Sequence, residues 1–449
     1  MKFQGKKVAV IGLGVEGQDS LQFLLQNGAL VTVFDQKEKE QLAPIKSGFE
    51  LVTGPDYLKG GLIGFDYVVR SPGVRPDLPE IAEAVKSGAK LTSAINIFFE
   101  LCPARIIGVT GTKGKGTTAT LIHECLKASG KNTYLAGNIG TPYLELLSHL
   151  TRSDLVVLEM SSFQLIDIER SPHIAVVLNI TTDHLDWHKN REEYVQAKEN
   201  IVRFQTEKDF VVLMKDYETP CSFAPKTKAE VFWASIKEEV KGGYIKKGKI
   251  VLNVEKAVEI GSVDKLLLLG THNWENIVLA TCAAKLAGAT VEGIKQAVFT
   301  FAGLPHRLEL AGEYQGIKFY NDSFATSPTP TLAAVNSFSK PLILILGGSS
   351  KGLDYTEMAR KLAAKKNVKA IIYMGEVGGQ IKQDLENAGF KGQLIGGGKN
   401  MAEIIKNAAQ IAESGDIVLL SPSAASFDMF KDYKDRGEQF KKAVRQLGS

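Results

Sequence analysis

The sequence predicts an α/β protein of three domains, each built on a parallel sheet covered by helices. Three observations carry this expectation. Short apolar, β-branched runs alternate with amphipathic stretches from end to end. Two glycine-rich loops each stand between such a run and a helical stretch. The 449 residues, 44% of them hydrophobic, divide into about three domains at roughly 150 residues apiece, each able to bury a core.

The first set of runs lies at 7–11, 30–35 and 67–70, and a second at 105–110, 155–159, 174–179 and 211–214. A third set follows at 341–347, 370–374, 393–395 and 416–420, with helical spacing over 355–366. The stretch 232–260 differs, being rich in Gly and Lys among alternating Val and Ile, as in Gly243-Tyr244-Ile245-Lys246-Lys247-Gly248, and predicts a small β-hairpin insertion. Breaks at Cys102-Pro103 and Gly303-Leu304-Pro305 give domains 1–103, 104–303 and 304–449.

Composition excludes several classes. With 54 Lys plus Arg against 50 Asp plus Glu, the net charge of +4 is too even for a nucleic-acid or anionic-membrane surface. Cys102, Cys125, Cys221 and Cys282 are scattered without a CxxC pair, which argues against a zinc site or a disulfide framework. The chain enters its first strand almost at once and has no long apolar run, so the expectation is a soluble, cytoplasmic protein with no nucleic-acid or membrane partner.

Gly12-Leu13-Gly14-Val15-Glu16-Gly17 follows a strand and opens a helix, and the next strand ends at Asp35, eighteen residues past the last glycine. This is the dinucleotide fingerprint in its proper setting: the glycines let the backbone approach a diphosphate whose charge meets free N–H groups at the helix start. Alone it would point to a dehydrogenase. After the strand at 105–110 comes a Walker-A-like loop, Gly111-Thr112-Lys113-Gly114-Lys115-Gly116-Thr117, leading into a helix over 119–128. Its N–H groups can wrap phosphate oxygens while Lys115 reaches the terminal phosphates, so the chain uses a nucleoside triphosphate. Gly116 stands where a magnesium-binding hydroxyl is usual, and the hydroxyl of Thr117 comes one residue later.

Glu159 ends a strand expected beside the phosphate loop, where carboxylates commonly hold magnesium. The polar loop 179–188 carries His184 at another sheet edge, where ligand loops converge, and is read as functional there. His188 is read as structural and Lys198, by itself, as a surface lysine on a helix.

The ordered set Gly111 to Lys115, Gly137-Asn138-Ile139-Gly140, Glu159 to Gln164, Asp183-His184, Ala197-Lys198, His272-Asn273 with Asn276, Leu304-Pro305-His306-Arg307 and Asn321-Asp322-Ser323 resembles the ATP-dependent Mur ligases of peptidoglycan synthesis over nearly the whole chain. Ser71-Pro72-Gly73, Ser161 to Leu165 and Ser421 to Asp428 are most similar to the branch that adds D-glutamate to UDP-N-acetylmuramoyl-L-alanine. The resemblance implies a Rossmann-like N-terminal domain for the UDP-substrate, a central P-loop ATPase-type domain and a Rossmann-like C-terminal domain for the amino acid. The dehydrogenase reading then falls away.

The resemblance further implies that Val15, Glu16, Asp35, Gln36, Lys37, Ser71, Gly73, Asn138 and His184 meet the UDP-substrate. ATP would be held by Gly111, Thr112, Lys113, Gly114, Lys115, Gly116, Thr117, Asn273, Asn276, Arg307 and Asp322. Thr117, Glu159, His184 and Lys198 would hold two magnesium ions, with Lys198 carbamylated because an ammonium would repel the cations. Thr326, Lys351, Ser426, Phe427 and Tyr433 would receive glutamate. Catalytic roles would fall to Lys115, Glu159, His184 and Lys198, in a monomer whose last domain closes to exclude water. One departure from the family bears on the acceptor: Phe324 stands where the D-glutamate branch generally carries a lysine. The alternatives are therefore a relative adding another acidic amino acid, such as L-glutamate, and a non-catalytic UDP-sugar-binding relative.

Overall fold

The structure, a computed structural model, describes residues 2–42 and 48–448. It forms two compact units, Met1–Lys265 with Trp274–Phe299, and Leu266–Asn273 with Thr300–Ser449.

The first unit contains two sheets. Strands β1 (Lys7–Ile11), β2 (Leu30–Asp35), β3 (Glu50–Thr53), β4 (Tyr67–Arg70) and β5 (Lys90–Ser93) lie in the order β3-β2-β1-β4-β5, all parallel. Strands β1, β2 and β4 are the apolar runs seen in the sequence. The outer strands β3 and β5 are short and mixed, because an edge strand has less to bury, and they carried no pattern to find. The order sets the loops after β2, β1 and β4 side by side at one edge, with the chain leaving β1 toward both sides, the place where such sheets bind ligands.

The second sheet holds β6 (Arg105–Thr110), β7 (Thr133–Gly137), β8 (Leu155–Glu159), β9 (Ile174–Val177), β10 (Phe210–Met214), β11 (Glu230–Ser235), β12 (Gly242–Lys246), β13 (Lys249–Asn253) and β14 (Ala257–Ser262). Its order is β14-β13-β12-β11-β10-β9-β6-β8-β7, parallel from β7 to β12 and antiparallel beyond. The predicted insertion is thus more than a hairpin: it continues the main sheet. Its glycines permit close approach, since a Cβ on Gly243 would stand 2.3 Å from the carbonyl oxygen of Val278. One apolar core runs through both sheets, from Val8 and Val10 past Phe98 and Tyr143, whose rings meet at 5.6 Å, to Val156 and Leu158.

The second unit has one sheet. Strands β15 (Glu309–Tyr314), β16 (Ile317–Asn321), β17 (Leu342–Gly347), β18 (Val368–Met374), β19 (Gln393–Gly396) and β20 (Ile417–Leu420) lie in the order β15-β16-β20-β17-β18-β19, with β15 antiparallel and the rest parallel. Leu342, Leu344 and Leu346 enter the core on one face and Ile343 and Ile345 the core on the other, which is why this strand reads as an unbroken apolar run. Among the described residues no helix is long and apolar enough to cross a membrane.

Candidate active site

The glycine loop after β1 turns at Gly12, with φ of +83°, and Gly17 admits no side chain because its Cβ would stand 1.9 Å from the Gly12 oxygen. Asp35 at the end of β2 braces this turn, accepting from the N–H of Leu13 at 2.7 Å and of Lys37 at 2.9 Å. The Ser71 hydroxyl donates to the Gly12 carbonyl at 2.7 Å. Around the loop opens a cleft of about 620 Å³ whose lining includes Val15, Glu16, Asp35, Gln36, Lys37, Ser71 and Gly73. Seven of the residues expected to meet the UDP-substrate therefore share one cleft. Asn138 is exposed outside its lining, and its N–H approaches the Glu159 carbonyl at 3.3 Å. Glu16 turns its carboxyl inward: Tyr143 Oη and Gln164 Nε2 both donate to it, and burial raises it to about 7.

Two arginines that the motif reading passed over bracket the Ser71-Pro72-Gly73 strip. Arg70, wholly buried, forks onto Asp167 and also donates to the carbonyls of Phe163 (2.9 Å) and Val74 (3.0 Å). Arg75 forks onto Glu193, at 3.1 and 2.9 Å, and reaches the Trp187 carbonyl at 2.7 Å. Their sequence signal was the pair itself, one arginine at each end of a short Pro-Gly turn.

The phosphate loop follows β6 as a tight turn from Gly111, with φ of +152°, to Gly114, with φ of +88°. A Cβ on Gly114 would stand 2.3 Å from Asn276 Oδ1, which packs the loop against the helix His272–Leu286. The helix begins at Lys115 rather than at 119, and its ammonium donates to the carbonyls of Gly111 and Thr112, both at 3.2 Å. Lys113 reaches out to Asp183 at 3.3 Å, Thr112 shares a hydroxyl contact with Tyr194 at 2.9 Å, and Gly116 and Thr117 are buried in the first turn.

Lys198 is no surface lysine. On the helix Arg191–Arg203 it is buried, donates to the Gly111 carbonyl at 2.9 Å and sits 4.8 Å from the centre of the Tyr194 ring. Burial first, and the Lys115 charge second, push its ammonium well below the ordinary range. Glu159 is buried at the end of β8, next to β6. His184 has a left-handed backbone, with φ of +55°, and its half-exposed ring meets Phe163 at 4.8 Å. His188 is buried, with Ser162 Oγ at 2.9 Å, and stacks on Phe163.

Among the described residues no three His, Cys, Asp or Glu side chains stand together as a ready metal site. Thr117, Glu159 and His184 offer oxygen and nitrogen donors but only one acidic side chain. A carbamate on Lys198 would add an anion, so the donor set fits magnesium once that change is made.

In the second unit, β16, β20 and β17 are neighbours, and the loops after them carry Asp322 to Thr326, Ser421 to Phe427, and Ser349 to Lys351. Asp322 is buried and raised to about 7 by burial, while Ser421 Oγ donates to it at 2.7 Å and the Leu308 N–H at 3.2 Å. The Arg307 guanidinium lies 3.9 Å over the Phe324 ring, which meets Tyr433 edge-on at 5.0 Å. Thr326 is half-buried, Ser426 buried, and Lys351 and Phe427 are exposed, with the Phe427 N–H on Ser349 Oγ at 3.0 Å. Asn273 donates to the Leu269 carbonyl at 2.6 Å.

Comparison with known proteins matches three successive stretches of the chain. Residues 6–93 match the Mur ligase MurD-like N-terminal domain, 109–284 the Mur ligase middle domain and 306–424 the Mur ligase glutamate ligase domain. The UDP-N-acetylmuramoylalanine--D-glutamate ligase of Acetivibrio thermocellus is 41% identical, covering 99% of this chain and 97% of its own. That of Clostridium kluyveri is 38% identical, covering 98% and 97%. The solved UDP-N-acetylmuramate-alanine ligase MurC of Thermotoga maritima shares the fold, with a TM-score of 0.61 at 18% identity, covering 98% of this chain and all of that one. The chain therefore belongs to the Mur ligases, in the family of the UDP-N-acetylmuramoylalanine--D-glutamate ligases.

Proposed function

We propose that the protein is an ATP-dependent ligase joining D-glutamate to UDP-N-acetylmuramoyl-L-alanine, with release of ADP and phosphate, in cytoplasmic peptidoglycan precursor synthesis. The observation that carries this reading is the end-to-end identity, 41% in the Acetivibrio thermocellus case, to ligases named for that reaction. The first domain, 1–103, binds the UDP-substrate, 104–303 binds ATP, and 304–449 binds the amino acid, in a protein acting as a monomer.

A carboxylate does not acylate an amine unaided, because its oxygen is a poor leaving group. The L-alanine carboxylate takes the terminal phosphoryl group of ATP, the bond to ADP breaks, and an acyl phosphate results. The amino nitrogen of glutamate then attacks the acyl carbon and loses a proton, and the carbon–oxygen bond to phosphate breaks to leave the amide. Lys115 and Arg307 offset charge on the transferring group, the N–H groups of 111–117 with Asn273, Asn276 and Asp322 hold ATP, and His184 orients the substrate carboxylate. Lys351 supplies charge, and Thr326, Ser426, Phe427 and Tyr433 direction, for the incoming glutamate.

Thr117, Glu159, His184 and carbamylated Lys198 hold magnesium, which when bound neutralises phosphate charge. The Lys198 amine, its pKa lowered by burial, forms the carbamate by adding to carbon dioxide and releasing a proton.

Phe324 favours a second reading, transfer of L-glutamate, since an aromatic ring under Arg307 takes the place of a cation near the acceptor. ADP release measured with UDP-N-acetylmuramoyl-L-alanine and each enantiomer separates the two. Turnover is expected with D-glutamate; turnover with the L form alone would overturn the first reading, and none with either would leave a non-catalytic UDP-sugar-binding protein.

A further inference from the structure

We propose that Trp187 is the wall on which the N-acetylmuramoyl part of the nucleotide-sugar substrate lies, and so distinguishes that substrate from the bare nucleotide. The inference rests on the function proposed above and adds a specificity-determining residue to it.

The sheet order fixes the layout of the cleft. Its loops follow β2, β1 and β4 in a row, carrying Asp35 to Lys37, Gly12 to Glu16 and Ser71 to Arg75. A diphosphate belongs at the middle loop, where a helix begins with unsatisfied N–H groups, and a ribose belongs at the end of the second strand. Whatever hangs on the far side of the diphosphate then falls on the β4 side. There Trp187, from the loop after β9, closes the cleft together with Val74 and Leu78.

Trp187 can offer that ligand hydrocarbon rather than a donor. Its indole N–H is spent on the Gly73 carbonyl at 2.9 Å. The ring is held from several sides, by the Arg75 guanidinium 5.0 Å from its centre, by Phe163 at 4.8 Å and by His188 at 4.7 Å. Arg75 is itself fixed by carboxylates, Glu193 at 2.9 Å and Asp77 at 2.8 Å. A rigid indole costs little entropy on binding. A pyranose bearing an acetamido and a lactoyl group presents ring C–H bonds and methyls, which suit an aromatic surface, whereas the diphosphate and ribose are met elsewhere.

The test is calorimetric titration of the full chain and of Trp187→Ala and Trp187→Phe with two probes, UDP and UDP-N-acetylmuramoyl-L-alanine. Trp187→Ala should weaken the sugar nucleotide about tenfold while UDP stays within about twofold, as expected for loss of one well-packed aromatic contact. Trp187→Phe, which keeps a ring but loses the Gly73 bond, should retain most of the affinity. Equal loss for both probes, no loss for either, or a Phe variant as weak as the Ala variant would overturn the inference. A native protein that binds the sugar nucleotide no better than UDP would instead count against the proposed function.

Discussion

Two glycine-rich turns occupy equivalent places in the first unit, each after a parallel strand and before a helix, yet they are built differently. The turn after β1 opens on a wide cleft, and the first turn of its helix carries Glu16, with the carboxyl turned away onto Tyr143 and Gln164. The turn after β6 is folded on itself, with Asn276 packed against Gly114 and Lys115 bonded back to the loop carbonyls. Both helix starts attract anions. The first helix starts on Val15 and Glu16, its cleft's cations Lys37 and Arg75 coming from other loops, whereas the second starts on Lys115, a cation suited to the most highly charged end of a triphosphate. Glycine spacing therefore specifies the turn, while the residue that begins the helix specifies its phosphate chemistry.

That contrast can be broken most sharply at Lys115. Lys115→Ala should cut ADP release about a thousandfold or more, the scale of losing a principal electrostatic contact to the reacting group, while calorimetric affinity for UDP-N-acetylmuramoyl-L-alanine stays unchanged. Loss of both in a folded variant would mean that the two turns do not divide the ligands.

A smaller effect is expected at Lys198, whose buried amine donates to Gly111 of the second turn. Native protein given isotope-labelled bicarbonate should show a carbamate carbon signal by NMR that is missing from Lys198→Ala, with activity in the variant down about a hundredfold. A spectrum without that signal would remove the carbamate.

The smallest effect concerns the first turn. The Glu16 carboxyl is held at about 7 against an ordinary 4.5, so the folded chain binds its proton more tightly than the unfolded chain. Stability must then fall as pH rises from near 4.5 and bear the full cost above about 7, an effect of at most roughly 3 kcal/mol. The thermal midpoint of Glu16→Gln should gain on that of the native protein between pH 5 and pH 8, and a difference that ignores pH would sharpen the comparison against a buried, costly carboxyl.

The alternation of apolar runs made the parallel strands legible, because strands buried on both faces have no polar positions to blur them. Edge strands such as β3 and β5 bury less and left no trace. The site was legible where chemistry demands a residue type, as at Gly12, Gly114 and Lys115, whose roles follow from backbone and charge. Arg70, Arg75 and Trp187 were not, since their work is done on partners such as Asp167 and Glu193, around a hundred positions away, that no local pattern reveals. Lys198 failed for a related reason: its character comes from burial, and a lysine on a polar helix carries no mark of the carbonyls it will face.

Arg70 to Asp167, Arg75 to Glu193 and Glu16 to Gln164 each tie the first sheet's loops to the segments that follow β8 and β9. Neither sheet can open without stranding a charge or a buried carboxyl on the other. The cost of separating them is electrostatic as well as hydrophobic, so the two sheets are committed to unfolding as one cooperative block. Damage to either is felt by both: a weakened core under the phosphate loop loosens the cleft around Gly12 and Ser71, with no residue of its lining altered.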